Sequence, residues 1–192
     1  MAGFVQYTAI LDACVLYPAP LRDLLLHLAE AGRFQARWSA AIHDEWTRNL
    51  LHQRPEIDAA RLMNTVALMN ASIEDCMIED YQFLIDSLSL PDPDDRHVLA
   101  AAIVGHADAI VTFNLKDFPR AIVGRHAIEV LHPDDFLLHQ YDLEPVRFLT
   151  VVKELREGLK RPVVSAEQLV RTYERQGLLQ IASRLSEAIE LI

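Results

Sequence analysis

The amino-acid sequence predicts an α/β fold: a mostly parallel sheet flanked by helices, followed by a helical C-terminal extension. Two observations predict the sheet. Short apolar, strand-like runs alternate with segments of helical periodicity up to about Leu131, the pattern of parallel strands joined by crossovers. Acidic residues follow or closely trail several of those runs, at Asp12, Glu45, Asp95 and Asp117. A third observation predicts the extension: beyond Glu144 no strand signal remains.

The elements follow in order. Gln6–Leu11 reads as the first strand, ending at Asp12. Pro18 and Pro20 introduce a helix in which Leu21, Leu24, Leu25 and Leu28 recur at helical spacing, stopped by Gly32. Phe34–Trp38 reads as a short second strand. Ser39 is a good N-cap for the helix carrying Ile42, Glu45, Trp46, Asn49 and Leu50, which Pro55 ends. A third helix is expected near Asp58–Asn70, a short strand at Cys76–Ile78 and a helix over Tyr81–Ser89. The run LPDPDD is turn-rich and leads into a buried helix over Val98–Gly105. Ala109–Phe113 reads as a fully buried strand, NLKDFP as a loop, Ala127–Leu131 as a strand, and HPDDFLLHQY as a short helix with Pro133 in its first turn. The tail offers helices near Val146–Leu159, Ala166–Arg175 and Leu178–Ile189.

Composition sets the bounds. A chain of 192 residues, 51% hydrophobic, fits one α/β domain with extra helices and a sizeable core. No apolar run is long enough to span a membrane, and the N-terminus lacks the basic-then-apolar order of a secretory signal. Cys14 and Cys76 lack metal-type spacing and read as reduced, buried thiols of a cytoplasmic protein. A net charge of −10 argues against nonspecific coating of nucleic acid but not against a nuclease.

In open α/β sheets, ligands bind at the carboxyl ends of the strands. Asp12, Glu45, Asp95 and Asp117 share that edge in the expected topology. Carboxylates converging there repel one another, and a divalent cation is the simplest agent that keeps them ionised together. Hard oxygen ligands favour Mg²⁺ or Mn²⁺ over Zn²⁺. Arg22, Arg96 and Lys116 are the basic candidates for phosphate contact, because each flanks a proposed acid or faces the same edge. His97 is expected to point elsewhere. Asp134 and Asp135 are explained by the dipole of their own helix.

The segments ILDACVLYP, WSAAIHDEW, PDPDDRHVLAAAI and IVTFNLKDFP, in this order, make the chain resemble a PIN-domain ribonuclease, in particular a bacterial VapC-type toxin. The resemblance implies a PIN-like parallel sheet between helices and Mg²⁺- or Mn²⁺-dependent cleavage of RNA. It implies metal-binding and catalytic roles for Asp12, Glu45, Asp95 and Asp117, with Thr112 and Asn114 as the supporting polar pair. It divides the chain into a nuclease domain over 1–143 and a helical extension over 144–192. The loop holds three acids, Asp92, Asp94 and Asp95. Spacing to Val98 and Leu99 selects Asp95 as the ligand and leaves a contribution from Asp92 open. RNA is then the substrate, an antitoxin protein the expected partner, and a homodimer remains open. Two other readings compete: a different metal-dependent nuclease or phosphoesterase on a related scaffold, and a catalytically silent PIN-like binding module.

Overall fold

The computed structural model describes residues 6–192; residues 1–5, with which the expected 1–143 domain begins, lie outside it. The chain opens with strand β1 (Thr8–Leu11), helix α1 (Ala13–Leu16) and helix α2 (Ala19–Glu30). Strand β2 (Gln35–Arg37) follows, then helices α3 (Ala40–Gln53) and α4 (Ala59–Ser72). After two 3₁₀ turns at Gln82–Ser87 and Pro93–Asp95 come helix α5 (Arg96–Val104) and strand β3 (Ala109–Val111). A 3₁₀ turn at Leu115–Asp117 and helix α6 (Arg120–Val123) lead to strand β4 (Glu129–Leu131). Helices α7 (Pro133–Leu143), α8 (Pro145–Gly158), α9 (Ala166–Arg175) and α10 (Leu179–Glu187) complete the described chain.

The four strands form one parallel sheet in the order β2-β1-β3-β4. The central pair is the most deeply buried: Ala9, Ile10 and Leu11 of β1 and all of β3 have no exposure. Such strands read as continuous apolar runs because both faces are covered. Helix α5 covers β1 and β3, and its buried residues include the small Ala100, Ala101 and Ala102, which suit a helix packed on more than one side. Gly32 supplies the positive φ of 71° needed just past α2. Ser39 caps α3 as expected, its hydroxyl accepting from the Ile42 amide at 3.3 Å.

Three elements differ from the sequence expectation. Cys76–Ile78 is reduced to a single parallel bridge between Met77 and Trp38, with backbone bonds from Trp38 to Cys76 and from Ile78 to Trp38. Tyr81–Ser89 is a 3₁₀ turn over Gln82–Ser87 that fully buries none of its side chains; only Leu84 and Ile85 pack, half-buried, against the core, too narrow an apolar face to fix an α-helix there. The last strand starts at Glu129 rather than Ala127, because Ala127 is in the left-handed region at φ 58° and cannot extend the ladder.

The C-terminal helices share the core of the sheet domain. Helix α8 packs on α2 and α7, and α10 packs on α7 and α9. Phe34 meets Phe136 edge-on at 4.8 Å, and Tyr141 meets Phe148 at 5.7 Å. Arg33 pairs with Glu144, and Arg147 donates to the Ala31 carbonyl at 3.0 Å. Asp134 proves to have a role beyond the dipole of its own helix. Its buried carboxylate accepts from the Gln180 amide at 2.8 Å and the Ile181 amide at 3.0 Å, capping the start of α10 from α7. No helix among the described residues is long and apolar enough to cross a membrane.

This cap generates a prediction. Asp134→Ala leaves the buried Ile181 amide without a partner, exposes the part-buried Gln180 amide and removes a cap, which should cost about 1–3 kcal/mol. Urea unfolding should show a clearly lower midpoint; an unchanged midpoint would mean that the α7–α10 link contributes nothing to stability.

Candidate functional site

Strand β1 delivers Asp12 to the carboxyl edge of the sheet, where it becomes the N-cap of α1 and is only 3% exposed. Three donors are aimed at its carboxylate. Oδ1 accepts from the Ala13 amide at 2.7 Å; Oδ2 accepts from Thr112 Oγ1 at 2.7 Å and from Cys14 Sγ at 3.1 Å. Burial pushes the Asp12 carboxyl up, and the Glu45 charge adds to that, while the Thr112, Cys14 and Ala13 donors pull it back. Thr112 itself sits just past β3, fully buried, with Oγ1 accepting from the Asn114 amide at 2.9 Å. One hydroxyl thus ties the Asp12 carboxylate to the loop that carries Asn114.

A polar cavity of about 600 Å³ opens at this edge, and Glu45, Asp95 and Asp117 line it together with Asn114. Helix α3 brings Glu45, the 3₁₀ turn before α5 brings Asp95, and the turn after β3 brings Asp117. Asp12 is not on the wall but lies near enough for its charge to act on Asp95. The Asp95 carboxyl is pushed up to about 7, first by burial and then by Asp12, Asp92, Asp117 and Glu45 in that order. Four acids acting on a fifth place all of them around one space.

The loop acids divide their work. Asp92 Oδ1 accepts from the Asp94 amide at 2.9 Å and caps the 3₁₀ turn. Asp95 stands at the N-cap position of α5 yet makes no side-chain cap bond, so its carboxylate is left for the cavity. Asp92 and Asp94 also line the cavity wall.

The basic candidates do not gather there. Arg22 is buried, donates to the Leu16 carbonyl at 3.1 Å and lies over the Trp46 ring at 5.1 Å from its centroid. It joins α2 to α3 instead of facing the cavity. Arg96 and Lys116 are likewise absent from the wall; Arg96 points a buried Nε away from any partner, and Lys116 is exposed. The expectation for His97 is reversed: its Nε2 reaches Glu45 Oε2 at 3.3 Å, and it lines the cavity.

Sequence reasoning missed Asp44, Arg48 and Asn49 on the wall and Cys14 beside Asp12. Spacing could have found Arg48 and Asn49, which follow Glu45 by three and four residues on α3. Cys14 needed knowledge of the bend at Asp12, which turns the next turn's thiol back onto the carboxylate.

The donor set is all hard oxygen and suits a divalent cation that keeps part of its water shell. Among the described residues, no three His, Cys, Asp or Glu side chains stand ready-made around one ion position. Mg²⁺ tolerates that arrangement, since it binds through one or two carboxylates and retains several waters.

The raised Asp95 carboxyl gives a pH prediction. Between the ordinary value of 3.8 and about 7, the folded protein keeps a proton that the unfolded chain has released. In chelator, stability should therefore fall as pH rises through that window. Asp95 is half-exposed, so the effect after screening is about 1–2 kcal/mol. Chemical unfolding of wild type and Asp95→Asn across this range should give curves that diverge towards neutral pH, with the variant the more stable. Parallel curves would show that the surrounding acids do not act on Asp95.

Comparison with known proteins gives two family matches. A PIN-domain family model matches residues 8–116, and a model of the VapC50 C-terminal domain matches residues 133–187. A relative from Mycobacterium tuberculosis named "Putative ribonuclease VapC50" is 59% identical over 49 residues. That stretch covers 26% of this chain and only 29% of the relative. No solved structure matches the chain significantly.

Proposed function

The chain belongs to the PIN-domain family, and on that premise we propose that it is a divalent-metal-dependent endoribonuclease acting as the toxin of a toxin–antitoxin pair in the cytoplasm. One observation carries the reading: Glu45, Asp95 and Asp117 line a single cavity with Asp12 close by, and burial together with the charges of Asp12, Asp92, Asp117 and Glu45 pushes the Asp95 carboxyl up to about 7. Carboxylates half-buried and crowded in this way cost stability when ionised unless a cation offsets them. The name of the mycobacterial relative, a ribonuclease, supports RNA as the substrate, and the toxin role rests on the resemblance to VapC-type toxins.

In this reading Asp12, Glu45, Asp95 and Asp117 hold Mg²⁺ or Mn²⁺. The bound ion would supply an activated water and offset charge at the cleaved phosphodiester. The chain's own residues do the rest. Thr112 and Cys14 fix the Asp12 carboxylate in one orientation by donating to the same oxygen. His97 meets Glu45 Oε2 and holds that side chain against the cavity wall. Asn114, tethered through its amide to Thr112, keeps the loop bearing Asp117 near Asp12. Residues 1–143 would form the nuclease domain. Residues 144–192 would brace α2 and α7 without entering the cavity, since none of them lines it.

The purified protein should cleave single-stranded RNA with Mg²⁺ or Mn²⁺ and stop with EDTA; cleavage that survives thorough chelation would refute the metal-dependent reading. Asp95→Asn should be inactive and folded, whereas Asp92→Asn should retain activity, because its carboxylate serves the 3₁₀ turn. The opposite pattern would exchange the two roles. Thr112→Val should weaken metal affinity about 10- to 100-fold, as loss of an orienting partner does. Titration of Mn²⁺ into the variant reads this directly, and unchanged affinity would remove Thr112 from the site.

A further inference from the structure

An RNA strand is a polyanion, yet the cavity that would receive it is walled by Asp44, Glu45, Asp92, Asp94, Asp95 and Asp117. A cation at the ligand carboxylates offsets charge at the reacting phosphate alone. The neighbouring phosphate still has to be brought against an acidic wall, and that requires a positive donor. Arg22, Arg96 and Lys116 do not supply it, because none lines the cavity. Arg48 is the one Lys or Arg on the wall.

Its setting is that of a poised donor. Arg48 lies three residues past Glu45 on α3 and Asn49 four past it, so the three share a helix face. The other face of α3 is locked. Ile42, His43 and Trp46 are buried, Trp46 Nε1 donates to His43 Nδ1 at 3.0 Å, and the other His43 nitrogen meets Asn70 Oδ1 at 2.9 Å. Trp38 Nε1 donates to the same Asn70 oxygen at 2.7 Å. The helix therefore cannot turn Arg48 away from the cavity. Arg48 is exposed, and among the described residues its guanidinium makes no ion pair or side-chain hydrogen bond, despite the carboxylates around it. A planar fork of five donors without a carboxylate partner matches a phosphate bidentately.

We propose that Arg48, with the Asn49 amide beside it, binds the RNA phosphate next to the one that is cleaved. The inference rests on the nuclease reading and adds to it a substrate-binding residue on α3. Because a backbone phosphate carries no sequence information, Arg48 sets affinity and register and leaves base preference unchanged.

The test is steady-state cleavage of one fluorescent RNA oligonucleotide by wild type, Arg48→Gln, Arg48→Lys and the surface control Arg171→Gln. Potassium chloride is varied at constant free Mg²⁺. Arg48→Gln should raise KM about 10-fold with little change in kcat, and should reduce the dependence of log(kcat/KM) on log salt by about 0.7. Arg48→Lys should keep the salt dependence and recover part of the KM, and Arg171→Gln should match wild type. Wild-type KM and salt dependence in Arg48→Gln overturn the inference while leaving the nuclease reading intact. A fall in kcat with the salt dependence unchanged also overturns it, since that assigns Arg48 to the chemical step. A wild type that cleaves no RNA overturns the nuclease reading and this inference with it.

Discussion

Asp12 stands almost completely buried at the carboxyl end of the central strand, close to other carboxylates, and much of the surrounding structure serves to hold it there. Desolvation and the Glu45 charge both push against its ionised form. Three donors oppose them: the first amide of α1, the Thr112 hydroxyl and the Cys14 thiol. Each donor depends on a different feature of the chain. The amide needs α1 to begin directly after β1. The hydroxyl needs β3 to lie parallel beside β1 in register, Leu11 against Val111. The thiol needs the bend that returns Cys14 onto the residue two before it. A register slip of one residue would turn Thr112 to the opposite face and leave the buried carboxylate short of a partner.

The helices transmit the same requirement outwards. Helix α5 packs on β1 and β3, which brings the start of that helix, with Asp95, to the edge where Asp12 emerges. The Trp46–His43–Asn70–Trp38 chain fixes the rotation of α3 and so points Glu45 at the same space. Arg22 closes this side by stacking on Trp46. On the far side, Asp134 pins α10 to α7 and draws the C-terminal helices into the common core.

The order of strands and helices was legible because the buried strands are continuous apolar runs and the helices carry strong stops such as Gly32 and Pro55. The end of α9 at Arg175 and the Ser39 cap were legible for the same local reasons. Asp12, Glu45, Asp95 and Asp117 could be placed at one edge because each lies near a strand end or helix start. What the sequence hid depends on tertiary geometry. Arg22 looked available beside the site, but its burial follows from Trp46 arriving from another helix. His97 looked like a bystander next to Arg96, yet the angle of α5 brings it to Glu45. Asp134 looked like a first-turn acid, and only the return of α10 gives it two further amides.

The account stands on the claim that these carboxylates share one site and exchange protons for a divalent cation. Calorimetric titration of Mn²⁺, repeated in buffers of different ionisation enthalpy, measures that exchange directly. With the Asp95 carboxyl near 7, binding at neutral pH should release a substantial fraction of a proton, and binding near pH 9 should release almost none. Asp95→Asn should abolish the release. Mn²⁺ binding without proton release at neutral pH, or no binding at all, would contradict the account.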